Sequence, residues 1–184
     1  LPSRVPRPMT EPHSAPSVPA PAPAADAEAL GSALKTGTGI EPIEPGVWIL
    51  HGQGQSMVFE TDDGLVIVDA GPGGRVTTAM IGALRGATDA PIHALCHSHG
   101  HLGYNGGVDL WLAHARERGD PVPRTIAHAN LPRRQARYRE TMPLQERLAE
   151  VQFRRAPQAM AGRMPMHAPA ETFEDTLTLG PATG

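Results

Sequence analysis

The chain has 184 residues, with 16 basic and 19 acidic side chains and a formal net charge of −3. This balance provides no electrostatic footprint for nucleic acid or an anionic membrane, so we expect neither of those partners. No apolar run approaches the roughly 20 residues that cross a bilayer, and the N-terminus lacks the apolar region of a secretion signal. The composition therefore indicates a soluble chain and leaves its compartment open.

The N-terminal part differs in composition from the rest. Residues 1–25 hold eight of the twenty prolines, among Ala and Ser and few large apolar side chains. Such a segment cannot bury enough surface to offset the entropy of ordering. We therefore expect a disordered Pro/Ala-rich tail over residues 1–38 and one domain over residues 39–184.

The predicted elements begin with three β-rich runs, GVWILHG, QSMVFET and LVIVDAG. Asp63-Gly64 between the last two runs predicts a hairpin, and the continuous LVIVD run predicts a strand buried on both faces. Downstream, the spacing of apolar residues predicts helices over 75–87, 108–118 and 133–155, the last broken at Pro143. Further strands are predicted over 91–96, 124–128 and 176–179. The order βββαβαβα favours an α/β layer arrangement.

The strongest chemical signal is the segment HSHGHLGYNGG at 97–107, which places His97, His99 and His101 at alternating positions. In extended backbone, residues two apart point the same way and lie roughly 6.6 Å apart. Two imidazoles at this spacing can converge on one metal ion, each nitrogen about 2.0–2.1 Å from it. His99 and His101 have only a glycine between them. The pattern predicts a metal site, and the alternative is a solvated histidine-rich loop.

Three blocks resemble the N-terminal half of a metallo-β-lactamase-fold hydrolase: the opening hairpin, TDDGLVIVDAG at 61–71 and SHGHLGYNGG at 98–107. The tract 126–153 also resembles the segment that follows in the alkylsulfatase-like branch. The resemblance implies an α/β fold, a metallo-β-lactamase-like αββα sandwich of which this chain supplies about the N-terminal half. The domain over 39–184 is then a C-terminally incomplete fragment. One face of its sheet would lack the second sheet, so we expect self-association through that uncovered face.

Members of this superfamily usually read His-x-His-x-Asp-His before a glycine-rich turn. On that pattern His99 and His101 match the first two zinc ligands, while Gly103 and Tyr104 stand in place of the Asp and the third His. The resemblance thus implies one zinc ion rather than two. Asp69 falls where the family keeps a carboxylate that orients the site.

Several residues carry open alternatives. A shifted register would use His97 together with His99 and His101. His128, at the end of a predicted strand, is either a substitute ligand or substrate contact, or a capping or surface histidine. Tyr104 either donates a hydrogen bond to a developing anion or packs beneath the glycine turn. Three arginines of the last helix either bind a sulfate or carboxylate or form a solvated face, the latter being favoured: Arg133, Arg134 and Arg137.

The function implied by the resemblance is zinc-dependent hydrolysis of an ester-type small molecule, such as a sulfate ester, thioester or lactone. Zinc would lower the pKa of bound water toward 7 and polarise the scissile group. Catalytic zinc normally has three protein ligands, however, and only two are matched here. The alternative is a degenerate, non-catalytic domain of the same fold that serves as a binding or structural module.

Overall fold

A computed structural model describes residues 39–52, 54–153 and 165–180. The predicted tail over residues 1–38 lies outside the described residues. The elements are, in chain order, β1 (Gly39–Glu44), β2 (Val47–His51), β3 (Ser56–Thr61), β4 (Gly64–Val68), α1 (Gly74–Arg85), β5 (Ile92–Cys96), α2 (Val108–Arg118), β6 (Arg124–His128), α3 (Asn130–Glu140), α4 (Met142–Phe153) and β7 (Glu171–Phe173).

The seven strands form one mixed sheet in the order β1-β2-β3-β4-β5-β6-β7. Strands β1 to β4 are antiparallel, because short turns such as Asp62-Asp63 connect them directly. Strands β4 to β7 are parallel, and helical connections return the chain to the same edge each time. The α/β fold class predicted from the sequence is confirmed.

The larger core lies between one face of the sheet and the helices α1 and α2. Its fully buried side chains come from both layers and include Leu50, Leu65, Ile67, Met80, Leu84, Leu95 and Trp111. Alternation along β4 directs Leu65 and Ile67 into this core and Val66 to the opposite face. The predicted burial of β4 on both faces is thus confirmed.

The opposite face of the sheet is less bare than the resemblance implied. Val66, Ala94 and Ile126 are buried there, partly beneath Leu177 and Leu179 from the last described segment. This segment has no regular secondary structure, and its two leucines cover part of the apolar face. Self-association through the rest of the face stays a prediction.

The structure differs from the prediction at strand β1 and at the long helix. Strand β1 was not predicted, because its last four residues are exposed and therefore carry no alternating pattern. The long helix is broken at Thr141 rather than at Pro143. Thr141 ends α3 by donating to the Arg137 carbonyl, and Pro143, which needs no N–H partner in a first turn, falls inside α4.

The last strand was also misplaced. Residues 176–179 form no strand, and the strand that extends the sheet is β7 at 171–173 instead. Its pairing with β6 is reinforced by Arg124, whose Nη2 donates to both carboxylate oxygens of Glu171 at 2.8 Å. Leu177 and Leu179, two residues apart, both pack onto the apolar face of the sheet without forming a strand. Within the described residues, none of the helices has the length and apolar character needed to cross a membrane.

Candidate metal site

The candidate site lies at the carboxyl edge of the parallel strands. Asp69 follows β4, the histidine segment follows β5, and His128 ends β6. Backbone hydrogen bonds continue past the strand ends, from Asp69 to the Cys96 carbonyl at 2.8 Å and from His97 to the Ile126 carbonyl at 2.9 Å. Because the three strands run the same way, residues distant in sequence meet at this edge.

Asp69 is the buried anchor of the site. Its φ of 63° is in the left-handed region, which Asp tolerates better than most residues. The carboxylate accepts three hydrogen bonds: from the Ser98 backbone N–H at 3.0 Å, from the Ser98 hydroxyl, and from the Asn105 amide at 2.7 Å. A single buried carboxylate therefore holds together the ends of two strands and the glycine-rich turn.

Ser98 connects Asp69 to His99. The Ser98 hydroxyl gives its one proton to Asp69, so its oxygen acts as acceptor toward His99 Nδ1 at 2.7 Å. The network thereby assigns the proton of His99 to Nδ1 and leaves the Nε2 lone pair free. Metal-binding histidines are commonly oriented in this way by a partner on the other nitrogen. Asp69 is therefore linked to His99 through Ser98, with its own carboxylate 3.9 Å from His99 Nδ1. Its orienting role stays a prediction.

The glycine-rich turn is locked against the end of β4. Asn105 accepts from the Ala70 N–H at 2.9 Å, and Gly107 N–H donates to the Gly71 carbonyl at 2.9 Å. Trp111 Nε1 donates to the Ala70 carbonyl at 3.0 Å. Asn105 is buried, and its side chain joins the glycine-rich turn to the end of β4.

The rings of His99, His101 and Tyr104 contact one another at the glycine-rich turn. The centroids of His99 and His101 are 5.9 Å apart, and the Tyr104 ring lies 4.6 Å from His99 and 5.3 Å from His101. The segment containing Gly54 packs on the other side of Tyr104, so closely that a Cβ at Gly54 would meet the ring at 2.5 Å. Tyr104 thus packs beside both imidazoles. Its packing beneath the glycine turn and its hydroxyl role both stay predictions.

His97 is placed differently from His99 and His101. It is partly buried against β6, where its Nδ1 lies 3.3 Å from the Ile126 carbonyl, and burial lowers the pKa of its imidazole. Its Nε2 is buried without a hydrogen-bond partner among the described residues. His97 nevertheless lines the same small cavity as His99 and His101.

His128 contacts the first residue of α3. Its Nδ1 accepts from the Asn130 backbone N–H at 3.1 Å, and its ring stands edge-on to Phe173 at a centroid distance of 5.8 Å. This contact corresponds to the capping alternative. The side chain is exposed and also lines a cavity beside the histidine segment.

His167, which was not predicted as a site residue, lines the small cavity opposite the three alternating histidines. Two contacts fix it: its Nδ1 lies 2.9 Å from Asp109 in α2, and its carbonyl accepts from Gln135 in α3 at 2.8 Å. No periodic pattern surrounds His167, so the sequence held no signal for it. Ser98 was not predicted as a site residue either. Its position directly before His99 could have indicated a contact between its hydroxyl and the imidazole.

The residues present fit part of a zinc site. Two imidazoles bound to one tetrahedral zinc have their centroids roughly 5 Å apart, which His99 and His101 approach at 5.9 Å. Both side chains are exposed, and the tautomer of His99 suits coordination through Nε2. Among residues 39–52, 54–153 and 165–180, however, no group of three His, Cys, Asp or Glu side chains could hold a metal ion.

Gly103 stands where the usual motif has its Asp. Its φ is +92°, a conformation that glycine adopts freely and residues with a side chain rarely adopt. A carboxylate at this position would therefore strain the backbone.

Comparison with known proteins gives a consistent picture of the fold. A family model described as the metallo-beta-lactamase superfamily matches residues 50–172. No curated protein matches the chain. Among solved structures, a double mutant of the sec-alkyl sulfatase PisA1 from Pseudomonas sp. is 18% identical, with 78% of this chain and 25% of that chain covered at a TM-score of 0.53.

Two further structures are similar at lower TM-scores. A beta-lactamase domain protein from Burkholderia ambifaria is 17% identical, covering 78% of this chain and 45% of that chain at a TM-score of 0.47. A metallo-beta-lactamase from Cronobacter sakazakii is 23% identical, covering 54% of this chain and 38% of that one at a TM-score of 0.45. The chain thus spans between a quarter and a half of the length of these structures.

Proposed function

Because the chain belongs to the metallo-beta-lactamase superfamily, we propose that the full-length protein is a zinc-dependent hydrolase of an ester-type small molecule, such as a sulfate ester, thioester or lactone. The observation that carries the proposal is the hydrogen-bonded chain from Asp69 through Ser98 to His99. It prepares one imidazole nitrogen as a ligand at the edge of the sheet where α/β sites lie.

In this proposal His99 and His101 hold the zinc ion, and a third protein ligand comes from outside the residues described. When bound, zinc supplies a Lewis acid and lowers the pKa of a bound water. Asp69 and Ser98 keep the proton of His99 on Nδ1. Partial burial, aided by the nearby His99 and Arg134, lowers the pKa of the His101 imidazole and so favours the neutral form that binds metal.

Tyr104 has a separate role in this proposal. Its ring holds both imidazoles in place, and its neutral phenol is a candidate donor to an oxyanion that develops beside them. A Tyr104→Phe variant separates the two roles because it keeps the ring and removes only the hydroxyl.

The first test concerns Ser98. Replacing Ser98 with Ala should weaken zinc affinity by about 10- to 100-fold, as expected for loss of a group that orients a ligand. Ser98→Thr retains the hydroxyl and should bind zinc nearly as tightly as the unmodified protein. Competition with a chromophoric chelator measures both affinities. Equal weakening by Ala and Thr would contradict an orienting role of the hydroxyl.

The second test concerns the number of ions. With Gly103 and Tyr104 at positions where the superfamily usually has ligands, the purified full-length protein is expected to hold about one zinc, since a stable site needs three or more protein ligands. Elemental analysis against protein concentration gives the ratio. Two tightly held ions would contradict the prediction and would indicate His128 or His167 as further ligands.

No bound zinc would instead favour the non-catalytic binding domain. The lack of a third ligand among the described residues supports this alternative.

A further inference from the structure

A cavity of about 420 Å³ opens beside the histidine segment. Its wall includes His99 and His101 after β5, His128 at the end of β6, and Arg134 from α3. The spacing of arginines along this helix favoured a solvated face. The structure distinguishes Arg134 from its neighbour Arg133, because only Arg134 lines the cavity.

The side chain of Arg134 is held at both ends. Its aliphatic stem lies over Gly100, where an added Cβ would come within 2.9 Å of Arg134 Cγ. Its guanidinium carbon stands 4.7 Å from the centroid of the Tyr138 ring, and Nη2 donates to the Tyr138 hydroxyl at 3.1 Å. Tyr138 is buried, so this support is rigid. The glycine between the two histidines thus makes room for an arginine directly beside them.

The charge of Arg134 is not neutralised by a neighbour. In the described part of the chain, Arg118 and Arg124 form ion pairs with carboxylates, whereas Arg134 lies within ion-pair distance of none. One N–H of its guanidinium is used by Tyr138, which leaves the remaining donors available. A guanidinium held in place with free donors is the usual protein group for two-point binding of carboxylate, sulfate or phosphate.

We propose that Arg134 binds an anionic oxygen group of the substrate, a sulfate, phosphate or carboxylate, in the cavity next to His99 and His101. This deepens the proposed function, on which it rests for the identification of the cavity as the substrate site. The anion would be bound on the α3 side of the cavity, with the reacting bond directed toward the two histidines. Neutral esters would then be poorer substrates than anionic ones.

The test is an NMR titration of the full-length protein with sodium sulfate, phosphate and acetate at constant ionic strength. Sulfate, phosphate or acetate should shift the Nε–H signal of Arg134 saturably, the signal being identified by its absence from Arg134→Gln. The anion that binds most tightly identifies the preferred group. No saturable shift with any of the three would overturn the proposal.

Matched variants provide the controls, with the Gly100 backbone amide as a signal common to all of them. Arg134→Gln should weaken anion binding by about tenfold or more, the effect of losing a charge-assisted pair. Arg133→Gln removes the same charge one residue away and should leave the affinity unchanged. Tyr138→Phe keeps the ring but not the hydroxyl and should weaken binding by a smaller factor. Equal weakening in Arg133→Gln and Arg134→Gln would indicate a general charge effect and overturn the proposal.

Zinc content measured on the same sample separates this inference from the proposed function. A protein that binds anions through Arg134 but holds no zinc supports the anion site and overturns the zinc-dependent hydrolase. A protein that holds zinc but binds no anion at Arg134 supports the hydrolase and overturns the anion site.

Discussion

Replacing Gly107 with Ala is expected to lower the free energy of unfolding by about 2 kcal/mol or more. A Cβ at this position would lie 2.3 Å from the Ala70 carbonyl oxygen and 2.4 Å from Thr77 Oγ1. Neither atom can move away freely, because Thr77 Oγ1 donates to the Ala70 carbonyl and accepts from Gly73 N–H. Overpacking a well-ordered region typically costs about 1–3 kcal/mol. Urea unfolding followed by circular dichroism measures the change.

Gly82 provides the matched control, since Gly82→Ala is the same chemical change in an open environment. Gly82 lies in α1, and a Cβ there would have no atom within 4 Å. Alanine in a helix interior is about 0.5–1 kcal/mol more favourable than glycine, so this variant should be more stable than the unmodified protein. Similar unfolding midpoints for the two variants would contradict the close packing of the glycine-rich turn against Ala70 and Thr77.

Removing either His99 or His101 is expected to abolish most zinc binding. Each would supply one of the few nitrogens at the site, and catalytic zinc rarely tolerates loss of a protein ligand. His99→Ala and His101→Ala should therefore each be purified with little metal, as measured by elemental analysis of folded protein. The loss should exceed that of Ser98→Ala, which removes only the group that orients a ligand.

Two other histidines serve as controls for this prediction. His51→Ala should retain full zinc, because His51 pairs with Glu41 on the β1–β2 hairpin and lines neither cavity at the histidine segment. His97→Ala should remove little zinc, since its ring is turned toward β6. Equal loss of zinc from His97→Ala and His99→Ala would favour the shifted register, in which all three alternating histidines bind the ion.

The local patterns of the sequence were sufficient for most elements of the fold. LVIVD and IHALC predicted buried strands, and the structure confirms both as β4 and β5. The Asp-Gly pair after β3 correctly predicted the hairpin. These features succeed because hydrophobic alternation and turn chemistry act over a few residues. The exposed strand β1 was missed because its residues are not sorted between an apolar and a polar face.

The histidine pair and the glycine-rich turn were likewise visible in the sequence, since their spacing lies within eleven residues. The sequence also predicted Asp69 as the orienting carboxylate, through the resemblance of the segment around it. What it could not provide was the contact through Ser98 that links Asp69 to His99. Asp69 and Ser98 are 29 residues apart, and only the parallel pairing of β4 with β5 brings them into hydrogen-bond contact.

The position of Arg134 depends entirely on tertiary contacts. On the helix alone it is one of several arginines that solvent would stabilise equally well. Its position over Gly100 exists because β5 and β6 end at the same edge and α3 starts there. The sequence by itself therefore determined the inner strands β2 to β6, the histidine pair and the family. Only the tertiary structure decided that Arg134 is the arginine beside the histidines, because the packing of α3 against the histidine segment is not encoded by any short-range pattern.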